Sequence, residues 1–158
     1  MGQYDMTPEY QYNFVKGMEF QDYASNKLRE IGLFFTSYAS RKYQITYGEN
    51  SAGIEIKFDD RMKETGNVYF ETDEKSNVNN VEFVASGIFR NDNTWLYAIG
   101  DYDVIYICGK VHLRQVYERE KERDQSFARF VETPTSKGML LPQKYVEEKL
   151  AARVIKAC

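Results

Sequence analysis

The sequence predicts a mixed α/β (α+β) domain, in which helices flank a mixed central β-sheet. Three observations support this prediction: a helical pattern of apolar residues early in the chain, strict two-residue alternation in its middle, and a later pair of apolar, aromatic runs. The 158 residues fit one domain. We place that domain at residues 10–158, after a loose N-terminal arm at residues 1–9.

The first helix is predicted over residues 10–31, with Gly32 as its end. Apolar residues recur along it at spacings of four and three, which is typical of one buried helix face. These residues are Phe20, Ala24, Leu28 and Ile31. Residues 33–40 then predict a first strand, which residues 42–47 extend or follow.

Two segments in the middle of the chain alternate between apolar and polar residues. In residues 54–59, one face carries Ile54, Ile56 and Phe58, and the other carries Glu55, Lys57 and Asp59. Residues 68–73 alternate in the same way and place Glu71 and Asp73 on the polar side. Because a turn signal ending in Gly66-Asn67 separates the two segments, we predict a β-hairpin with one apolar and one ionic face.

The second half of the chain predicts two strands, at residues 94–99 and 104–107. An exposed helix of mixed charge follows over residues 113–125, and residues 127–141 are extended. Pro142 is suited to a first helical position. It precedes Val146, Leu150 and Val154 at spacings of four, so we predict a closing amphipathic helix.

Composition excludes several classes of protein. The formal net charge of −3 argues against a protein that coats nucleic acid by bulk positive charge. No apolar run approaches the roughly 20 residues needed to span a bilayer, so we expect no membrane association. Cys108 and Cys158 form no Cys-x-x-Cys pair, which favours a reducing, cytoplasmic location. A single histidine excludes a multi-histidine metal site.

The ionic face of the predicted hairpin is the candidate site. With the turn centred on Thr65, Asp59 lies opposite Glu71, with Cβ atoms roughly 5 Å apart. A turn centred on Met62-Lys63-Glu64 places Glu55 opposite Glu71 instead. In either register two carboxylates face each other, which favours a divalent cation between them. Lys57 lies on the same face, and such a group suits phosphodiester hydrolysis by metal-activated water.

With these residues the chain resembles the PD-(D/E)XK nuclease superfamily, which has the restriction-endonuclease-like fold. The resemblance covers residues 10–110. Its features are the first helix with Gly17-Met18-Glu19-Phe20, the hairpin with Asp59, and Glu71 twelve residues later. Residues 53–75, with the core Gly66-Asn67-Val68-Tyr69-Phe70-Glu71, look like small phage-type nucleases of this group.

The resemblance implies a Mg²⁺-dependent DNA endonuclease, with Mn²⁺ as a substitute metal, that acts as a homodimer in the cytoplasm. It implies Asp59 and Glu71 as metal ligands and Lys57 as their positive partner. Glu55 would be an auxiliary ligand, and Glu19 would approach the site from the first helix. Four basic residues that flank the hairpin are candidates for contacts to the DNA backbone. They are Arg41, Lys42, Arg61 and Lys63.

One position departs from the family pattern. The family's lysine follows its glutamate by two residues, where this chain has Asp73. Lys57 is the first candidate to replace that lysine, and Lys75 is the second. Alternatively, Glu55-Ile56-Lys57 is itself the Glu-x-Lys element and Glu49 is the upstream acid, but this gap is too short for a full hairpin.

Two other interpretations stay open at this point. In the first, the chain is a non-catalytic module on the same fold, which binds nucleic acid or protein through a tyrosine-rich surface. In the second, the chain has a different fold, and its hairpin only resembles the nuclease motif. Asp73 in place of the motif lysine is the feature that favours a non-catalytic protein.

Overall fold

A computed structural model describes residues 7–158. Most of the predicted arm therefore lies outside the described residues. The part that is described belongs to the first helix, because Thr7 caps that helix and accepts a hydrogen bond from the Tyr10 backbone N–H at 3.2 Å. Within the described range, no helix combines the length and the apolar character that crossing a membrane requires.

Two helices precede the first strand, and the others lie in connections between strands. The first helix packs through Phe20, Ala24 and Leu28, as its apolar spacing predicts. The α-helices of residues 7–158 are α1 (Pro8–Glu30), α2 (Arg41–Tyr47), α3 (Met62–Thr65), α4 (Lys110–Lys121) and α5 (Gln143–Tyr145). A 3₁₀ turn spans Gly87–Phe89, and a π-helical turn spans Val146–Leu150.

Eight strands form two four-stranded sheets, which confirms a mixed α/β fold. The strands are β1 (Ile54–Phe58), β2 (Asn67–Glu74), β3 (Val84–Ala85), β4 (Leu96–Gly100), β5 (Val104–Gly109), β6 (Arg129–Glu132), β7 (Ser136–Pro142) and β8 (Arg153–Lys156). The first sheet has the order β1-β4-β5-β8 and the second has the order β3-β2-β7-β6. Only the β1–β4 pair is parallel, so the first sheet is mixed and the second is antiparallel.

The alternation predicted for β1 is confirmed, and it divides the core in two. Ile54 and Ile56 face α1, where they pack with Phe20 and Leu28. The opposite face of the first sheet shares a second core with the second sheet and α4. That core includes Tyr97, Ile99, Tyr106, Val68, Phe70, Met139, Leu141, Leu113 and Val116. Glu55 and Lys57 therefore point towards the second sheet, away from α1.

The predicted hairpin is wrong, because β1 and β2 do not pair. β1 pairs with β4, and β2 pairs with β7 and β3, so both predicted cross-strand registers are wrong as well. The short helix α3 separates the two strands. It ends at Gly66, whose φ of +67° is a left-handed conformation that glycine adopts without strain. The chain leaves this turn into the second sheet and does not return along β1.

Three other predicted elements need correction. Residues 33–40 form no strand beyond an isolated bridge from Ser37 to Asn50, and residues 41–47 are the helix α2. The closing helix ends after one π-helical turn at Leu150, and Val154 lies in β8. The β5–β8 pairing explains this, since it satisfies the backbone of residues 153–156 in the first sheet. The strands at residues 96–100 and 104–109 and the extended segment before Pro142 are confirmed.

Candidate functional site

The open edge of β1 carries an ion pair between two charged residues of the same strand face. The Nζ atom of Lys57 lies 2.8 Å from Oε1 of Glu55. Glu55 is only 5% exposed, whereas the Lys57 side chain is 44% exposed. Because β1 is the edge strand of its sheet, the lysine can reach solvent while the glutamate stays buried. The buried carboxylate therefore depends on Lys57 for charge compensation.

Glu49 lies beside this ion pair, just before β1 in the chain. Its Oε2 atom accepts a hydrogen bond from the Ile56 backbone N–H at 3.3 Å, on the side of β1 that no other strand covers. Burial raises the pKa of Glu49 to about 7, and the neighbouring Glu55 contributes to that rise, while Lys57 opposes it. The edge of β1 thus holds two carboxylates and one ammonium group within electrostatic reach of each other.

Lys57 keeps its proton in this environment. Burial alone would lower its pKa, but the attraction of Glu55 and Glu49 outweighs that effect and raises the pKa above its ordinary value. A lysine in this state cannot accept a proton near neutral pH. Its chemical contribution is therefore a fixed positive charge and three hydrogen-bond donors.

Asp59 connects the end of β1 to the start of β2. Its Oδ2 atom accepts a hydrogen bond from the Tyr69 backbone N–H at 2.9 Å, and its Oδ1 atom accepts one from the Arg61 backbone N–H at 3.3 Å. Burial raises the pKa of Asp59, and these two backbone hydrogen bonds act against the rise. The predicted proximity of Asp59 to β2 is therefore real, although it arises from a side-chain contact and not from strand pairing.

Glu71 is held by two serine hydroxyls. Ser86 donates to Oε1 at 2.8 Å and Ser136 donates to Oε2 at 3.0 Å. The Tyr69 hydroxyl lies 2.5 Å from the same Ser136 hydroxyl and extends the network. The Tyr69 ring lies over Gly138, where an added Cβ would approach the ring to 2.2 Å. Gly138 therefore leaves the space in which Tyr69 reaches Ser136.

A cavity of about 650 Å³ connects these groups, and we call it the inter-sheet cavity. Lys57 and Asp59 line it from the end of β1, Tyr69 and Glu71 from β2, and Tyr97 from β4. Apolar side chains share the lining with charged ones, for example Ile99 and Leu140 with Arg61 and Arg129. Its size lies within the range of small-ligand sites.

A second depression lies on the other side of Lys57, between α1 and β1. This helix groove has a volume of about 530 Å³, and both Glu49 and Lys57 line it. Phe14, Lys16 and Met18 line it from α1. Lys57 is thus shared by the helix groove and the inter-sheet cavity.

The structure brings together four of the predicted catalytic residues and separates the fifth. Glu55 and Lys57 are paired, and Lys57, Asp59 and Glu71 line one cavity. Glu19 is exposed on α1. Its neighbour Met18 lines the helix groove, but Glu19 does not. The predicted approach of Glu19 to this cluster is therefore not seen.

Of the two secondary candidates, Asp73 lies near the end of β2 and Lys75 directly follows that strand. Asp73 accepts a hydrogen bond from the Thr72 hydroxyl at 2.8 Å. Lys75 places its Nζ atom 4.2 Å from the centre of the Phe83 ring. Lys75 is engaged in this cation–π contact, so Lys57 is the better replacement for the motif lysine.

The four predicted DNA-binding residues are all exposed, but they occupy different places. Arg61 lines the inter-sheet cavity. Lys63 forms an exposed ion pair with Asp103 at 2.6 Å. Arg41 and Lys42 begin the short helix α2. A continuous basic surface through all four residues is not visible in these contacts.

Two residues of the site were not predicted from the sequence. Tyr97 lies opposite Glu55 in the parallel β1–β4 register, and Arg129 lies in one row with Leu140 and Tyr69 across the second sheet. Both positions depend on strand pairing between distant segments, for which no local pattern exists. The sequence ranks Glu49 lower as the acid, because its gap to Glu55 is too short for a full hairpin.

The carboxylates near Lys57 can hold Mg²⁺ only if water and the substrate supply the remaining ligands. Among residues 7–158, no group of three or more His, Cys, Asp or Glu side chains is placed to hold one metal ion. Glu49 and Glu55 supply two carboxylates beside Lys57. Mg²⁺ is usually held by one or two carboxylates together with water and substrate phosphates. The two carboxylates meet that requirement.

Comparisons with known proteins identify no relative of this chain: no family model, no curated protein and no solved structure matches it.

Proposed function

We propose that this protein is a metal-dependent DNA nuclease whose chemistry centres on Glu49, Glu55 and Lys57. The observation that carries the proposal is the 2.8 Å contact between Lys57 and the buried Glu55, with Glu49 beside both on the open edge of β1. In this interpretation Glu55-Ile56-Lys57 is the Glu-x-Lys element and Glu49 is the upstream acid. The gap between Glu49 and Glu55 is too short for a hairpin, but this assignment needs none, because β1 and β2 do not pair.

The proposal includes a restriction-endonuclease-like core, for which the arrangement of α1 and the first sheet gives support. A helix packs on a mixed sheet, and the acidic element lies on the edge strand of that sheet. The parallel β1–β4 pair followed by an antiparallel β4–β5 pair agrees with the mixed sheet that the resemblance implies.

Glu49 and Glu55 would hold Mg²⁺, which when bound neutralises phosphate charge and supplies a nucleophilic water at neutral pH. Lys57 would donate hydrogen bonds to the phosphate and stabilise the extra negative charge of the transition state. Because Lys57 stays protonated, it does not remove a proton from water. Its pairing with Glu55 fixes its position before substrate arrives.

Asp59 and Glu71 take a supporting role in this proposal. The Asp59 carboxylate accepts hydrogen bonds from two backbone N–H groups, and the Glu71 carboxylate accepts hydrogen bonds from two hydroxyls. Asp59 links the end of β1 to β2 of the second sheet, whereas the Glu71 contacts lie on the side of the second sheet. Glu71 also adds negative charge near Lys57. This differs from the expectation that they are the principal metal ligands.

A non-catalytic module is the second candidate, and one observation favours it. Glu49 covers an unpaired backbone N–H of an edge strand, and Lys57 places a charge there. Charged residues in such positions also protect sheet edges from pairing with other chains. The same ion pair would then be structural.

Cleavage assays separate the two candidates. Single-stranded, branched and supercoiled DNA would be incubated with Mg²⁺, Mn²⁺ or EDTA, with the wild type beside Lys57→Met. We expect metal-dependent cleavage that falls by about 10²–10⁴-fold in the variant. Lys144→Met is the matched control, because it removes an exposed lysine that lines neither the inter-sheet cavity nor the helix groove. Absence of cleavage by folded wild-type protein on every substrate would favour the non-catalytic module.

A further inference from the structure

The Tyr97 hydroxyl is an unpartnered polar group in the wall of the inter-sheet cavity. Tyr97 is 2% exposed, and among residues 7–158 its hydroxyl is the one buried side-chain polar atom without a hydrogen bond of good geometry. Burial and the nearby Glu55 carboxylate raise the pKa of this hydroxyl. Buried polar groups are nearly always paired, so an exception in a cavity wall calls for an explanation. A ligand that offers a polar edge to this hydroxyl would supply the missing partner.

The chemistry of the cavity fits a flat, partly apolar ligand. Ile99 and Leu140 provide apolar surface, and the Tyr69 ring lines the same space. Charged and polar side chains also line the cavity, among them Arg61, Asn67, Arg129 and the Glu71 carboxylate. Apolar surface combined with polar groups that fix orientation is typical of sites for small ligands. A nucleobase has this combination of flat faces and polar edges.

The position of the cavity relates it directly to the proposed cleavage site. Lys57 lines the cavity and also forms the ion pair with Glu55 at the edge of β1. A phosphate beside Lys57 would therefore carry its nucleoside to the mouth of the cavity. Arg61 and Arg129 also line the cavity and can contact phosphates on either side.

We propose that the inter-sheet cavity receives one unstacked nucleobase of the substrate strand, next to the phosphate held at Lys57. This inference rests on the proposed nuclease function and specifies its substrate as single-stranded or locally unpaired DNA. A base inside a duplex cannot enter such a cavity without leaving its stack. The Tyr97 hydroxyl bonds the polar edge of the base, and the apolar lining contacts its faces.

The helix groove supports a single-stranded substrate independently of the cavity. Phe14 and Met18 line this groove beside Glu49 and Lys57, and both are 52% exposed. Exposed rings beside a strand-binding path stack with bases of any sequence. A strand that crosses Lys57 therefore meets apolar surface on both sides.

An abasic-site scan tests the proposal. A fluorescent single-stranded 20-mer of DNA would carry one abasic nucleotide at each position in turn, and binding would be measured by anisotropy with Ca²⁺ in place of Mg²⁺. We expect one position, adjacent to the cleaved phosphate, at which loss of the base weakens binding about tenfold. Tyr97→Phe, which keeps the ring and removes the hydroxyl, should weaken binding of the intact strand several-fold.

Val131 is half-buried and lines the cavity from β6, so Val131→Trp should fill the cavity. Val84→Trp is the matched control, because Val84 is exposed on β3 and does not line the cavity. The position dependence of the abasic scan should disappear in Val131→Trp and persist in Val84→Trp. A scan without position dependence, on a strand that the wild type binds and cleaves, would overturn the base cavity and leave the nuclease function standing. Faster cleavage of duplex DNA than of single-stranded DNA would also overturn the base cavity and leave the nuclease function standing.

Two further outcomes separate the remaining possibilities. Position-dependent binding without any cleavage in Mg²⁺ or Mn²⁺ would retain the base cavity and reject the nuclease function. Absence of DNA binding would overturn both proposals.

Free deoxynucleoside monophosphates are the second source of the same base chemistry, and they would be titrated in parallel. If they bind as tightly as the strand, the cavity serves free nucleotides and the strand assignment is overturned.

Discussion

The Nζ atom of Lys57 lies 2.8 Å from the Oε1 atom of Glu55, two residues earlier on the same edge strand. This pair combines a carboxylate that is almost fully buried with a lysine that is nearly half exposed. The glutamate therefore depends on the lysine, while the lysine could be solvated without its partner. That asymmetry gives the pair a distinctive response to substitution.

Lys57→Met is expected to lower the free energy of unfolding by about 1–3 kcal/mol, because it leaves the Glu55 carboxylate buried without compensation. The double variant Glu55→Gln/Lys57→Met should recover most of this loss. Urea denaturation of the two variants would measure both effects. Lys63→Met is the control and should change stability by about 0.5 kcal/mol or less, since its ion pair with Asp103 is exposed. Equal losses in the two lysine variants would contradict the prediction.

Glu55→Gln and Glu71→Gln distinguish the two possible sets of metal ligands. Both oxygens of Glu71 accept hydrogen bonds from serine hydroxyls, whereas Glu55 contacts Lys57 directly. We expect Glu55→Gln to lower cleavage by about 100-fold or more, and Glu71→Gln by less than about tenfold. The measurement is the single-turnover cleavage rate at saturating Mg²⁺. The reverse order would restore Glu71 as a principal ligand.

The sequence predicted the faces of β1 and β2 correctly but not their partners. Strict alternation places Ile54 and Ile56 on one strand face and Glu55 on the other, and that is a local property, although all three residues are buried. Pairing is not local: Val68 lies opposite Leu141, and Glu55 lies opposite Tyr97. A turn signal between two alternating segments predicts a hairpin, but the four residues of α3 turn the chain into another sheet.

The candidate site was predicted in part for the same reason. Glu55, Lys57 and Asp59 belong to one short segment, so their common location follows from the strand period. Tyr97 and Arg129 reach the cavity through pairings over many residues. Glu49 lies outside β1, and its position beside Ile56 depends on the connection that follows α2.

Gly138→Ala should disturb the support of Glu71 without changing any charged residue. A Cβ at this position would collide with the Tyr69 ring, so the ring must move away from Ser136. We expect a loss of about 1–3 kcal/mol in the free energy of unfolding, measured by urea denaturation.

Gly17→Ala is the matched control for this substitution. An added Cβ at Gly17 meets no atom within 4 Å, and the residue lies inside α1. Alanine there should raise the free energy of unfolding by about 0.5–1 kcal/mol, because glycine is the poorer helix former. Destabilisation by both variants would show that the Tyr69 contact is not the cause.

Glu49 should make stability depend on pH, in the absence of metal. Its pKa rises from 4.5 to about 7 on folding, mainly because of burial, with Glu55 adding to the rise and Lys57 and Arg90 opposing it. Between these values the folded protein binds a proton that the unfolded chain has released. The associated stabilisation is complete below pH 4.5 and is lost as the pH rises through about 7.

Glu49→Gln tests this dependence, since the amide resembles the protonated acid and can still accept the hydrogen bond from the Ile56 N–H. With EDTA present, the wild type should lose stability between pH 5 and pH 8, and Glu49→Gln should lose less. Urea denaturation at four pH values would measure the difference. Glu64→Gln, which removes the same charge from an exposed site on α3, should follow the wild type. If Glu49→Gln also follows the wild type, Glu49 does not gain a proton on folding, and both its carboxylate oxygens are available as charged ligands throughout this pH range.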